Sequence, residues 1–158
     1  MESICDSTYF ESVLNVKVPT MTSDTEPSGE CSASSCYQHP SYTKYPYYAF
    51  SGDTNIWNSG QGDNWIQYKF EKAVKVNKIK VTPHGTSGDN FHNKSYKLQA
   101  SNNGVDFIDL TNEIAQAEGE QFHTILNSDY YLYYRLQCYA NPSKYCGAKL
   151  QFYGRSQN

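Results

Sequence analysis

Side-chain alternation with a period of two recurs along most of this chain, and it restricts the fold more than any other feature. In WIQYKF, Ile66, Tyr68 and Phe70 fall on one face and Trp65, Gln67 and Lys69 on the other. A strand sends successive side chains to opposite faces, so such a run is a half-buried strand. VNKIKV sets Val76, Lys78 and Lys80 against Asn77, Ile79 and Val81, and SYKLQAS sets Tyr96, Leu98 and Ala100 against Lys97 and Gln99. YLYYRLQCY groups Leu132, Tyr134, Leu136 and Cys138, and AKLQFYG groups Leu150 with Phe152. Clusters of Gly, Asn, Asp, Ser or Pro bound these runs, as a β-sandwich requires. Asn103-Gly104 supplies the positive φ of a hairpin turn. LTNEIAQAEGEQF is the one stretch with room for a helical turn, and Gly119 limits it.

A length of 158 residues fits a single domain with a real core. Residues 1–17 read as a lead-in strand or linker, and 18–158 as the domain. The 15 tyrosines, against 7 Phe and 2 Trp, suit half-buried sheet faces and binding surfaces, because the ring is apolar and its tip polar. Trp57 and Trp65 are expected to fill the core and its corner. A net charge of −3 gives no general attraction to nucleic acid or anionic lipid. No apolar run approaches a membrane span, and MESICDSTYF lacks the features of a signal peptide. The chain is therefore expected to be cytosolic, exported without a cleaved signal, or part of a longer protein.

Five cysteines are present. Cys138 and Cys146 sit where an oxidising compartment would let them staple the loop between the last two strands. The odd count favours free thiols for Cys5, Cys31, Cys36, Cys138 and Cys146 at least as strongly. The cysteine spacing and the scattered His39, His84, His92 and His123 give no zinc pattern.

The order ASS, AFSGDTNIW, WIQYKF, KIKVTPHG, YKLQASNNGVDFIDL, YYRLQCY and LQFYG resembles the discoidin or coagulation factor 5/8 type C domain, which includes the family 32 carbohydrate-binding modules. The resemblance covers about residues 18–155. VPTMTSDTEPSGECSASS and LQFYGR also resemble versions of the module in phage tail fibres and adhesins. The implied fold is all-β, an eight-stranded antiparallel jelly-roll β-sandwich of the galactose-binding type. The implied function is a non-catalytic, lectin-like recognition module for a cell-surface glycan of galactose type, extracellular or on a virion surface, within an oligomer or larger assembly. The alternative is a structural or protein-interaction module of the same fold that reads no sugar.

The resemblance also assigns positions. Many members bind a structural calcium at a turn that corresponds here to Ser51, Gly52 and Asp53, with a last-strand glutamate where this chain has Lys149. A hydroxyl and an ammonium in place of two acids disfavour the cation, so no cofactor is expected. Lys149 either meets Asp53 and staples the turn or points to solvent. The sugar-binding positions fall at Asn58, His84 and Asn90. Two of the three differ from the usual residue, and the missing arginine weakens the case for galactose itself. All three are hydrogen-bonding side chains suited to hydroxyls. Tyr45, Tyr47, Tyr139 and Tyr145 are candidate platforms for the C–H face of a sugar. Asp53, Asp63, Asp89, Asp106 and Asp109 lie in turns with no marked acid–base pair. The chain has no Gly-x-Ser-x-Gly, phosphate-loop or His-Glu-x-x-His motif, so no enzyme is expected.

Overall fold

In the computed structural model, residues 14–157 are described. Their strands are β1 (Val16–Lys17), β2 (Glu30–Ala33), β3 (Gln38–His39), β4 (Tyr42–Thr43), β5 (Trp57–Gln61) and β6 (Asn64–Pro83). These are followed by β7 (Ser95–Ser101), β8 (Ile108–Asp109), β9 (Ile114–Ala115), β10 (Gln121–Thr124), β11 (Tyr131–Tyr139) and β12 (Tyr145–Ser156). A 3-10 turn, Pro46–Phe50, is the helical element among them. Pro46 starts it with a preset φ.

Every ladder is antiparallel, and β6 organises two layers. Its first half, Asn64–Lys69, runs between β2 and β11, with β7 beyond β11. Its second half, up to Pro83, runs between β10 and β12. WIQYKF and VNKIKV are thus one bent strand of 20 residues. Counting its halves separately, the strands of four or more residues make the expected eight-stranded sandwich.

The inward faces meet in a core whose largest fully buried side chains include Trp57, Tyr68, Tyr96, Tyr134 and Phe152. Burying each ring stabilises the fold by about 2–3 kcal/mol. Tyr134 brings a polar tip into this core and satisfies it. Its hydroxyl donates to the Val74 carbonyl at 2.5 Å and accepts from the Val76 N–H at 3.1 Å. Ile66, Tyr68 and Phe70 point inward, as do Tyr96, Leu98 and Ala100, Leu150 and Phe152.

The alternation is broken in two places, and one tryptophan lies outside the core. Val76 is buried together with Ile79 and Val81, although strict alternation puts them on opposite faces. The β12 register passes from Tyr153↔Lys78 to Gly154↔Val76 and skips Asn77. Asn77 is therefore a bulge residue that resets the inward face. Its side-chain amide donates to the carbonyls of Ile125 and Asn127 at 3.2 and 3.0 Å. Similarly, β11 shifts register between Tyr131 and Tyr133, which leaves Leu132 half-buried while Tyr134, Leu136 and Cys138 are fully buried. Trp65 is not in the core. It lies half-exposed on the outer face of β6, where the Arg135 guanidinium is stacked 3.7 Å from its ring and 3.8 Å from that of Phe107.

Segment 110–122 holds no helix; it carries short β9 and the start of β10, because Ile114 pairs with Tyr96 instead. Gly104 takes the expected positive φ of 75°. Cys31, Cys36, Cys138 and Cys146 are free thiols, and Cys5 lies outside the described residues, as does most of the lead-in segment. Cys138 and Cys146 adjoin: a hydrogen bond from Cys138 to Cys146, together with full burial, holds the Cys138 thiol well above its ordinary pKa.

Candidate functional site

One end of the sandwich collects β5, the end of β6, the 84–94 loop, the end of β11 and the start of β12. Asn58 lies on β5 opposite Gly147 of β12, and His84 directly follows β6, whose last residue Pro83 is paired with Ala148. Asn58 Nδ2 therefore reaches His84 Nδ1 at 3.1 Å. An amide nitrogen is a donor, so Nδ1 is the acceptor and the neutral ring carries its proton on Nε2. Protonating Nδ1 would set two donors against each other. Burial of the ring pushes the His84 pKa below 6.5, Asp89 acts against that shift, and Lys44 and His92 add to it.

Gly147 is what allows this packing. A Cβ there would lie 2.5 Å from Asn58 Nδ2, 3.0 Å from the Phe91 carbonyl and 3.1 Å from His84 Cβ. Buried Asn93 locks the loop onto the same residue, donating to the Gly147 carbonyl at 2.9 Å and accepting from its N–H at 3.1 Å. The tip closes on itself, with Asp89 accepting from the Thr86 N–H at 2.7 Å.

Beside the Asn58–His84 pair lies a group of rings. Phe91 is 5.0 Å from Tyr37, edge to face, and 4.9 Å from Tyr145, while Tyr37 and Tyr145 are 5.8 Å apart. His84 joins it 5.3 Å from Phe91. The Tyr37 N–H donates to the Asn58 carbonyl at 2.7 Å, which ties the segment before β3 to β5. The β3–β4 hairpin adds Tyr42, stacked on His39 at 4.6 Å and 6.4 Å from Tyr37. Asn90 is at the exposed margin; its carbonyl accepts from the Tyr145 N–H and its Oδ1 from Lys144 Nζ at 2.8 Å.

Of the residues singled out from sequence, Asn58, His84, Asn90 and Tyr145 thus come together. Asn58, only 1% exposed, orients His84 and presents no free edge to solvent. Tyr45 and Tyr47 stack on one another at 6.0 Å and meet Tyr48 edge to face, in a separate group whose Tyr47 N–H is held by Asp24. Tyr139 ends β11 and acts on Lys97, which is ion-paired with Asp109 on the outer face of β7. Tyr37 and Phe91 were missed; the aromatic flanks of SSCY and DNFH were the signal.

The turn at Ser51–Asp53 does not fit a cation. The Asp53 carboxylate already accepts from Ser51 Oγ at 2.6 Å, the Asn55 N–H at 2.9 Å and Asn55 Nδ2 at 3.1 Å. These bonds, Ser51 first, lower its pKa, and the Lys149 ammonium is the weakest of the lowering influences. Lys149 and Lys80 line a recess of about 220 Å³ beside the turn, together with Gly52 and Glu120. Ammonium groups beside a satisfied carboxylate are poor surroundings for calcium. Among the described residues, no three His, Cys, Asp or Glu side chains are grouped to hold a metal.

No curated protein matches the chain. Its fold is that of several solved carbohydrate-binding modules. The family 32 module of NanJ from Clostridium perfringens, in complex with galactose, is 18% identical with a TM-score of 0.65, over 87% of this chain and 99% of that one. A second Clostridium perfringens module, in complex with GalNAc-β-1,3-galactose, is 17% identical with a TM-score of 0.64, over 78% and 94%. Chitosan-binding module 1 of a Paenibacillus chitosanase/glucanase is 21% identical with a TM-score of 0.64, over 80% and 95%. The F5/8 type C domain profile matches residues 30–131, well over half of the sequence. The chain belongs to the F5/8 type C domain family.

Proposed function

We propose that this chain is a non-catalytic carbohydrate-binding module that reads a cell-surface glycan at the sandwich end formed by Tyr37, Asn58, His84, Asn90, Phe91 and Tyr145. The observation that carries the reading is the Tyr37–Phe91–Tyr145 ring group beside an oriented His84. Ring faces accept the C–H face of a pyranose, while His84 Nε2–H and the Asn90 side chain suit its hydroxyls. Loops on a rigid β-scaffold are a usual place for such residues. The two clostridial neighbours were solved with galactose and with GalNAc-β-1,3-galactose, which supports a glycan as the class of ligand. The side chains at this end offer surfaces and hydrogen bonds rather than a nucleophile with a base, and that favours holding a sugar over cleaving it. A receptor-binding or adhesive role follows if the module is repeated in an assembly, since linking weak sites raises avidity by about 10²–10⁴.

The test is a glycan array probed with the folded chain in multivalent form, beside His84→Ala and Phe91→Ala. Selective binding lost in both variants is the expected result. A blank array from folded protein would sink this reading and leave a structural or protein-interaction role for the same fold.

A further inference from the structure

We infer that the glycan read at this end is anionic, carrying a carboxylate or sulfate on the sugar that sits against Tyr37, Phe91 and Tyr145; the inference rests on the carbohydrate-binding reading above. The motive is where two lysines stand. Lys44 leaves the β3–β4 hairpin, its backbone N–H donating to the Tyr37 carbonyl at 2.9 Å, and its ammonium lies 5.3 Å from the Tyr42 ring centroid. Its charge is felt at His84. Lys144 directly precedes Tyr145, and its ammonium donates to Asn90 Oδ1 at 2.8 Å. The two cations are thus attached to opposite members of the ring group, one through Tyr37 and one through Tyr145.

Among the described residues neither ammonium forms an ion pair within 4 Å, whereas Lys97 is paired with Asp109 at 3.1 Å. Each ammonium has three donors, and Lys144 uses one of them on Asn90. The acids nearby are turned to the backbone. Asp89 accepts from the Thr86 N–H at 2.7 Å, and Asp63 accepts from the Ala140 N–H at 2.9 Å. Asp89 also acts on His84, more strongly than Lys44 does. Each carboxylate spends one oxygen on the backbone in this way, and the lysines keep donors directed to the rim that an anionic substituent would use best. A sugar lying on Phe91 or Tyr145, whose planes are tilted by 34°, would send its equatorial substituents outward to this rim. A carboxylate or sulfate there would meet Lys44 or Lys144 in a charge-assisted bond.

The test compares matched oligosaccharides on the intact chain presented multivalently: uronate-terminated against carboxyl-reduced, and sulfated against desulfated. Each is measured for the native chain, for Lys44→Gln/Lys144→Gln, and for His84→Ala, at low and raised salt. The expected result is a preference of roughly tenfold for one anionic member over its neutral counterpart, in line with two partly exposed charge contacts. That preference should collapse with salt and in the double lysine variant. Which pair shows it distinguishes carboxylate from sulfate. Equal binding of anionic and neutral members, lost in His84→Ala, would overturn the inference and leave the glycan-binding reading intact. Binding of no member by folded protein would overturn both.

Discussion

Asn58 and His84 form a pair in which the buried member sets the state of the exposed one. Burial of the ring holds the His84 pKa below its ordinary 6.5, and Asn58 Nδ2, placed to donate to Nδ1, favours the same neutral state. The sign for stability follows. A depressed histidine pKa contributes fully above the unfolded value of about 6.5, and the contribution is lost as pH falls from there through the folded value. His84 should therefore titrate below 6.5 by NMR in the native chain, and higher than in the native chain in Asn58→Asp, where a carboxylate faces Nδ1. A native His84 that titrates at or above 6.5 would contradict the donor assignment. Asn58, His84 and Asn90 were legible from the resemblance, as positions. That Asn58 is buried and bonded to His84 was not, because the close packing depends on Gly147, remote in the chain and bare of any side chain that could mark it. Tyr37, Phe91 and Tyr145 meet across more than a hundred residues of sequence, and no local pattern announces such a meeting.

At the level of elements, the period-two signal predicted the main strands well and failed where the ladder slips. Alternation identifies the buried face only while the register holds, and a bulge shifts it by one. Asn77 is such a residue, and in sequence strict alternation simply groups it with Ile79 and Val81. Its removal has a specific expected effect. In Asn77→Ala the Ile125 and Asn127 carbonyls lose a side-chain donor, which costs about 1–3 kcal/mol by chemical denaturation. The Ile125 N–H, bonded to the Asn77 carbonyl, should lose hydrogen-exchange protection ahead of the Leu136 and Leu98 amides. A variant as stable as the native chain would mean that Asn77 is incidental to the bulge. The room for a helical turn at 110–122 goes unused for a related reason: the pairing of Ile114 with Tyr96 is a tertiary gain that local propensity does not contain.

Across the whole molecule, β12 runs from one end of the sandwich to the other. It begins with Tyr145 in the ring group and finishes at Ser156, whose N–H is bonded to Asn15 Oδ1. At about 3.3 Å per residue it separates the two by on the order of 35 Å. Val16 is paired with Gly154, so the first and last described residues lie side by side, away from His84 and Phe91. The described part of the chain consequently has a polarity, like a lamp on a stem: a support attached next to Asn15 or Ser156 holds the rings facing outward. Capture on a sensor through a C-terminal tag should leave glycan binding intact, while random amine coupling, which consumes Lys44 and Lys144, should depress it. Equal signals from the two surfaces would mean that the glycan is read somewhere else on the sandwich. The same polarity lets several copies be carried on one support with every reading face turned toward the same surface.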